Sequence, residues 1–487
     1  MPLNSMPSLP LLSPSPSPFC ASSSHLISNH NRFKYKVAAS SDASISGSSS
    51  DRPQGNKSTG VVVVGAGLAG LAAATRLEAA KIPFLLVEAS DGVGGRVRTD
   101  NVDGFLLDRG FQIFITAYPE ARKVLDYRSL KLRNFYSGAR VYFDGKFHTV
   151  SDPFRHFMDS VKSLTNPIGS VFDKIRIGLV RARSMAMAED EIMTSDEVPI
   201  AELLRSIRFS DSIIHRFFKP FFGGIFFDPE LKTTSRLFYF IFKCLALGNN
   251  TLPENGIGAI SDQLAAKLPP NSVLLNSRVV SVDPKQGSSQ SSRVKLLGGL
   301  SIEAKLGVIV AVEQPEIRKI LSGNEAHLPE SKPGRSTVTL YFASVRDMIP
   351  VKEPILFLNG SGQGIVNNMF FPTNVAPSYG PPEKALVSVT AIGSFDGLTD
   401  DELTSLVVKE LSGWFGEEMA RSWTHLRTYR IGFAQPDQTP PTNLRKDPKV
   451  APGLYLCGDH WSSATFDGAM ASGRRAAECL LRDVAST

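Results

Sequence analysis

Acidic side chains are missing from the start of this 487-residue chain, where Asp42 is the first to occur. The same stretch is rich in serine and proline. Such a composition cannot bury enough apolar surface to fold, and acid-poor, serine-rich N-termini are typical of organelle transit peptides. A long apolar segment is also lacking, which argues against a secretory signal. We expect residues 1–57 to be a chloroplast (plastid) transit peptide with a disordered linker; a plain disordered tail is the alternative.

Cysteine is scarce, and its spacing matches neither a zinc site nor a disulfide framework. The four cysteines are Cys20, Cys244, Cys457 and Cys479. The eight histidines are scattered, so we predict no metal site. The longest apolar stretch, Leu237 to Leu247, is interrupted by Lys243 and is too short for a transmembrane segment. A net charge of +6 is too small to argue for nucleic acid.

The clearest positive signal is the stretch "VVVVGAGLAGLAAATRLEAAKIPFLLVE". Four consecutive valines predict a strand that is buried on both faces of a parallel sheet. A glycine-rich turn and a helix follow, and the next strand ends at Glu88, which suits a ribose hydroxyl acceptor. This strand–turn–helix–strand context predicts a dinucleotide site with its pyrophosphate at the helix N-terminus. The loop residues expected to hold it are Gly65, Ala66, Gly67, Leu68, Ala69 and Gly70.

Two further motifs carry a resemblance to a known superfamily. "DGVGGRVRT" at 91–99 resembles the second glycine motif of the flavin-containing amine oxidase, protoporphyrinogen oxidase and phytoene desaturase superfamily. "GLYLCGDHWSSATFDGAMASGRRAAECLL" at 453–481 resembles its C-terminal flavin motif. The resemblance implies FAD, with Arg96 on the pyrophosphate and a helix N-terminus near the flavin ring. The further residues that the resemblance assigns to FAD are Gly95, Gly110, Phe111, Gln112, Val279, Gly458, Asp459, Ala469 and Met470. The superfamily's covalent-attachment cysteine has no counterpart in "AQPDQTPPTNL", so we expect noncovalent FAD.

The resemblance implies an α/β fold: a Rossmann-like FAD-binding domain of the amine-oxidase (glutathione-reductase-like) type with a discontinuous α+β substrate domain. We predict three FAD-binding parts, 58–150, 255–325 and 445–487. The substrate domain is expected to have a helical part, 151–254, and a sheet part, 326–444. A β-hairpin is predicted to turn at Asp144-Gly145.

The stretch "FFKPFFGGIFFDPEL" packs six phenylalanines around a glycine pair. We weigh an apolar substrate tunnel, lined by Phe217, Phe221, Phe222 and Phe226, against an ordinary core. The same region is a candidate for peripheral contact with a membrane or lipid droplet. The lysine that many amine oxidases place near the flavin is not identifiable here, which puts amine oxidation in doubt.

The leading hypothesis is an FAD-dependent oxidoreductase that transfers hydride from an apolar small molecule to flavin. The substrate would be a polyene, prenyl lipid or tetrapyrrole, and oxygen or a quinone would reoxidise the flavin. The alternatives are an amine oxidase acting on a small amine and a non-catalytic flavoprotein or redox sensor. No catalytic residue beyond the flavin is predicted.

Overall fold

The computed structural model describes residues 57–152, 155–156, 166–285, 290–321, 328 and 332–486. All of them belong to one compact unit, Gln54–Thr487. The transit-peptide prediction therefore lies outside the described residues, apart from Lys57. Within the described ranges, every helix is too short or too polar to cross a membrane.

The four valines form the buried end of the first strand, because both of its faces are covered. Val61 and Val63 enter one apolar cluster, and Val62 and Val64 enter another on the opposite face. The strand pairs in parallel with a neighbour on each side. This alternation places the strand at the centre of the first sheet, as the valine run predicted.

The first sheet is built from three stretches that are far apart in the chain. Its strand order is β10-β2-β1-β13-β12-β11, with β20 beside β13 and β19 beside β20. Strands β10, β2, β1, β13 and β20 run parallel. The strands are β1 Lys57–Val64, β2 Phe84–Val87, β10 Val273–Leu274, β11 Val279–Asp283, β12 Ser292–Leu296, β13 Ser301–Val310, β19 Lys449–Ala451 and β20 Leu454–Leu456.

A second sheet, with the order β18-β14-β17-β16-β15-β7-β8, is antiparallel except where β15 meets β7. One face packs on a long helix through Val387, Val389 and Leu403. The other face carries Tyr341 and Leu386. The strands are β7 Gly138–Phe143, β8 Lys146–Ser151, β14 Arg335–Val345, β15 Leu356–Asn359, β16 Val366–Phe370, β17 Lys384–Ile392 and β18 Thr424–Gln435.

Two small sheets complete the strands: β3 Thr99–Val102 with β4 Phe105–Asp108, and β5 Phe114–Ile115 and β6 Arg133–Asn134 on either side of β9 Asn250–Leu252. The helices are α1 Leu68–Ala79, α2 Pro119–Val124, α3 Tyr127–Leu130, α4 Val171–Ala186, α5 Glu189–Thr194, α6 Ile200–Ser206, α7 Asp211–Ile213, α8 Lys219–Phe226, α9 Ser235–Leu247, α10 Ala259–Ala265, α11 Gln314–Ile320, α12 Pro372–Val375, α13 Asp400–Phe415, α14 Glu417–Arg421 and α15 Phe466–Ala485. A π-helical segment, Ile214–Phe218, joins α7 to α8.

The first and last helices, α1 and α15, pack against each other. A Cβ added to Gly473 of α15 would lie 1.9 Å from the carbonyl oxygen of Ala69 in α1. Glycine is needed at this position because the two helices approach so closely. This contact joins the first and last parts of the chain next to the first sheet.

The hairpin at Asp144-Gly145 forms as predicted, with both residues at positive φ. Its strands, β7 and β8, lie in the second sheet, although we had assigned 58–150 to the FAD-binding part. The pairing of β7 with β15 is non-local, so the local hairpin signal could not reveal it. The other domain boundaries stay predictions.

Candidate flavin and substrate site

The three glycines of the loop between β1 and α1 have different structural roles. Gly65 has a φ of +99°, and an added Cβ would lie 2.9 Å from the carbonyl oxygen of Ala311. A Cβ on Gly70 would lie 1.8 Å from the carbonyl oxygen of Gly65, so this glycine permits close packing of helix and strand. A Cβ on Gly67 would meet no atom within 4 Å, because this residue faces a cavity.

The cavity has a volume of about 650 Å³ and is lined by residues from both large sheets. Most of the residues predicted to bind FAD line it. They are Gly65, Gly67, Leu68, Ala69, Glu88, Gly95, Arg96, Gly110, Phe111, Gln112, Val279, Gly458, Asp459 and Ala469. The structure thus brings together predicted residues from both ends of the chain, and their contacts with FAD stay a prediction.

Three predicted residues lie behind the cavity surface. The Ala66 N–H donates to Glu88 Oε2 at 2.7 Å and so fixes the loop to the end of β2. Gly70 contacts Gly65, as described above. Met470 is fully buried in the core beneath α15. The resemblance that assigned this segment could not tell which side of the helix faces the cavity.

Glu88 is held in place by several donors at the end of β2. Its Oε1 accepts from the Ser90 backbone N–H at 2.9 Å and from Ser90 Oγ at 2.8 Å. Together with the bond from Ala66, these contacts orient the carboxylate at the cavity surface. The orientation is compatible with the ribose role proposed from the sequence.

An ion pair between half-buried Arg96 and buried Asp459 joins the two glycine motifs. Arg96 Nη1 lies 2.8 Å from Asp459 Oδ2 and donates to the Ala434 carbonyl at 2.6 Å, and Arg96 Nε lies 3.7 Å from Glu313 Oε1. Burial raises the pKa of Asp459, but the Arg96 guanidinium and His460, whose backbone N–H donates to Asp459 Oδ1, together hold that pKa well below its usual range. Burial raises the pKa of Glu313. This end of the cavity therefore carries fixed charges of both signs.

The N-terminus of α15 opens beside the same cavity. Thr465 caps the helix by accepting the Gly468 N–H at 2.9 Å, and Thr465, Phe466 and Ala469 line the cavity. The helix begins at Phe466, two residues before the start we expected. Its first-turn N–H groups and positive dipole end favour negative charge nearby.

Charged and neutral residues line different parts of the cavity. We use the name charged wall for the charged side chains that line the cavity. They come from segments next to the strands of the first sheet and from residues 94–112. The members of the charged wall are Glu88, Arg96, Arg109, Arg278, Glu313, Glu316 and Asp459. The neutral wall comes from the second sheet and from α8 and α9. Its members are Gly138, Pro220, Phe221, Gly224, Ile225, Phe227, Ile241, Leu245, Thr337, Leu356, Leu358, Asn368, Ile431, Ala434 and Gln435.

The phenylalanine cluster divides along the helical period. Phe222 and Phe226 lie on the inner face of α8 and are fully buried in the core. Phe221 lines the cavity, and Phe217 stacks on Phe221 at 5.3 Å without being part of the lining. The four-residue tunnel was therefore wrong for three of its members, while Phe227, which we had not included, lines the cavity. Since most of this region is core, it does not supply a membrane surface.

Several cavity residues were missed by sequence reasoning. Glu313 follows β13 in the way that Glu88 follows β2, so the same rule could have found it. Arg109 and Arg278 gave no local signal. Leu356 and Leu358 come from β15, whose pairing with β7 is non-local, and nothing in their sequence or around Asn368 in β16 indicated a cavity.

A parallel sheet with a glycine loop, sharing a cavity with a second sheet, defines a nucleotide-dependent oxidoreductase fold. The chain belongs to the flavin containing amine oxidoreductase family, whose model matches residues 68–481. It is an FAD-dependent oxidoreductase, which confirms the enzyme class and the fold predicted from the motifs.

Individual relatives are distant. The chain is 21% identical to the 15-cis-phytoene desaturase of Solanum lycopersicum, over 88% of this chain and 79% of that protein. It is 31% identical to the coproporphyrinogen III oxidase of Propionibacterium freudenreichii, but the match spans only about a third of either chain, 34% of this one and 31% of the relative. A putrescine oxidase bound to putrescine shares the fold with a TM-score of 0.63 and 17% identity, covering 88% of this chain and all of that one.

The residues present fit the flavin that the family implies. Gly67 leaves open space at the start of α1. Gln112 Oε1 and both ring nitrogens of His460 are buried and make no hydrogen bond with the described residues, so the cavity wall offers polar atoms for a ligand. When bound, FAD supplies the acceptor for a hydride. The protein's own part is to orient the two ligands and exclude water.

Proposed function

We propose that this enzyme oxidises an uncharged, apolar substrate, a polyene or prenyl lipid, with noncovalent FAD that is reoxidised by oxygen or a quinone. The neutral wall carries this proposal. All of its described members are uncharged, and most are apolar. An ammonium group or a carboxylate would therefore have no charged partner there, and burying an unpaired charge is costly.

The neutral wall also distinguishes lipid-like substrates from the two alternatives, small amines and tetrapyrroles. The neutral wall offers Phe221 and Phe227 as rings but holds neither an acid to pair with the cation of a small amine nor the arginine or lysine that a tetrapyrrole with carboxylates needs. The lysines of the described chain are also absent from the cavity lining. The likeness to putrescine oxidase concerns the fold alone, because the sequences are only 17% identical. The neutral wall thus favours the lipid-like substrates.

Anaerobic reduction of the bound flavin tests the proposal directly. We expect bleaching of the flavin absorbance with a polyene or prenyl lipid in detergent, and none with putrescine. Leu245→Asp places a carboxylate in the neutral wall and is expected to abolish the bleaching while FAD stays bound. The matched control is Leu247→Asp, two residues on in α9, at an exposed position.

Reduction by amines, with no response to the lipids, would replace this proposal with amine oxidation. If no substrate class reduces the flavin, the non-catalytic flavoprotein becomes the better account. Release of FAD on acid denaturation separates noncovalent from covalent binding in the same preparation.

We also propose that the protein is imported into plastids. The acid-poor, serine-rich stretch supports this localisation, as does the similarity to a desaturase described as chloroplastic/chromoplastic. A reporter fused to residues 1–57 is expected to enter chloroplasts. A reporter that remains in the cytosol or enters mitochondria would contradict the proposal.

A further inference from the structure

One helix of the described chain exposes an apolar face. Val171, Phe172, Ile175 and Leu179 of α4 form what we call the α4 stripe, and their exposed fractions are 51%, 70%, 57% and 66%. Elsewhere in the described chain, large exposed apolar side chains come one or two at a time, such as Leu406 alone or Val345 with Met348. Contiguous exposed apolar surface of this kind marks an interaction site more often than scattered residues do.

The opposite face of α4 is firmly anchored, so the stripe cannot simply turn inward. Ser170 and Asp173 form a capping box at the N-terminus. Asp173 also accepts from the Ser210 N–H at 2.9 Å and from Ser210 Oγ at 2.7 Å. Val180 and Ser184 are buried beneath the helix.

Basic residues border the stripe on both sides. With 3.6 residues per turn, Arg176 and Arg183 lie along one edge, and Lys174 and Arg181 lie along the other. Arg181 is paired with Asp152 at 2.8 Å and Arg176 lies 3.9 Å from Asp173, so two of the four edge cations face a carboxylate of the protein. The single carboxylate of the helix, Asp173, is fully buried.

An apolar face with basic edges fits the interface of an anionic lipid bilayer, where acyl chains cover the apolar residues and headgroups meet the cations. A second copy of this chain is a poorer occupant, because a two-fold pairing of α4 would bring like-charged edges together. We propose that the α4 stripe docks this protein peripherally on an anionic membrane. The docking rests on α4 alone and does not depend on the proposed substrate.

The position of α4 relates membrane docking to the cavity. The helix packs against α9, and Arg181 Nη2 donates to the Ala246 carbonyl of α9 at 3.0 Å. The same α9 contributes Ile241 and Leu245 to the neutral wall. Docking through α4 therefore brings the neutral side of the cavity close to the lipid phase, from which an apolar ligand can be drawn.

Vesicle flotation of the full-length, FAD-bound protein tests the docking. The vesicles contain equal parts of phosphatidylglycerol and phosphatidylcholine. We expect the Phe172→Asp/Leu179→Asp double variant to bind at least about tenfold more weakly, because it removes two apolar side chains that the bilayer would cover and places negative charge against an anionic surface. The matched control is Leu297→Asp, which changes an equally exposed leucine, 72% exposed, between β12 and β13.

Both variants alter exposed side chains, so FAD content and Tm should match those of the wild type. Arg176→Gln/Arg183→Gln is expected to weaken binding mainly at low salt, since the edge charges are screened at high salt. Equal binding of the wild type and the stripe variant would overturn the proposal, as would no binding by the wild type. A wild-type dimer that the stripe variant dissociates in sedimentation velocity would assign the stripe to a second copy instead.

Discussion

The charged wall and the neutral wall face the same cavity, yet different kinds of structure build them. Charged side chains sit in loops that follow parallel strands, as Glu88 follows β2 and Glu313 follows β13. Loops at the carboxyl ends of parallel strands converge on one site. Neutral side chains come from the faces of antiparallel strands and of α8 and α9. The charged wall is thus set by loop motifs, and the neutral wall by which residues alternate toward the cavity.

The largest effect should separate the neutral wall from the core behind it. Phe222→Ala removes a fully buried ring and is expected to lower the free energy of unfolding by about 3–5 kcal/mol. Phe221→Ala, one residue earlier, removes a ring that faces the cavity, and we expect a loss of about 1–2 kcal/mol. Urea unfolding at a fixed excess of FAD measures both values. Equal losses would mean that the wall and the core are not distinct here.

A smaller effect should distinguish the charged wall from a neighbouring arginine that does not line the cavity. Arg96→Met removes the partner of Asp459 and a proposed phosphate donor, so we expect FAD to bind about 100-fold more weakly. The control is Arg98→Met, whose partner Asp91 is mostly exposed, and we expect a change within about threefold. Fluorescence titration of the apoprotein with FAD gives both constants.

Adding Asp459→Asn to Arg96→Met removes the unpaired carboxylate and should recover part of the lost affinity. Equal losses in the Arg96 and Arg98 variants would contradict a special role for the Arg96–Asp459 pair, and FAD would then respond only to the overall positive charge.

The smallest effect concerns a buried carboxyl outside both walls. Asp467 follows Phe466 in α15. Its Oδ1 accepts hydrogen bonds from the backbone N–H groups of Glu120 at 2.6 Å and Ala121 at 3.1 Å. Burial raises its pKa to about 7. The folded state therefore keeps a proton that the unfolded state releases near pH 4, and stability falls as the pH rises between these values.

Between about pH 6 and pH 7, this group should lower the free energy of unfolding by about 1 kcal/mol. Asp467→Asn keeps a side-chain acceptor and is expected to reduce this pH slope, as measured by denaturant unfolding across the interval. Asp108, whose pKa burial raises to about 6, contributes a slope of the same sign and remains in the variant. An unchanged slope would show that Asp467 is ionised in the folded protein.

The two walls were not equally accessible to sequence reasoning. Gly65, Gly67, Gly70 and Glu88 could be found because strand, turn and helix follow one another within one short segment, where local rules apply. Arg96 was assigned through the resemblance of its glycine motif to that of the superfamily. The second glycine-rich segment at 458–470 was found by resemblance.

The neutral wall was largely missed, because its residues are fixed by contacts between distant strands. Leu356 and Leu358 face the cavity while Phe357 between them faces the opposite core. That choice of face depends on the pairing of β15 with β7, more than 200 positions away in the chain. Phe221 and Phe222 show the same limit on a helix, where composition alone does not say which ring points inward.

The contact between α1 and α15 also bears on how the chain is made. At ordinary synthesis rates, roughly 20–80 s separate the release of α1 from the release of α15. During that time the face of α1 near Ala69 lacks the helix that covers it in the finished protein, and β13 lacks its neighbour β20. Burial of these surfaces must wait for the last residues, so the growing chain is a natural client for chaperones that hold unfolded polypeptides.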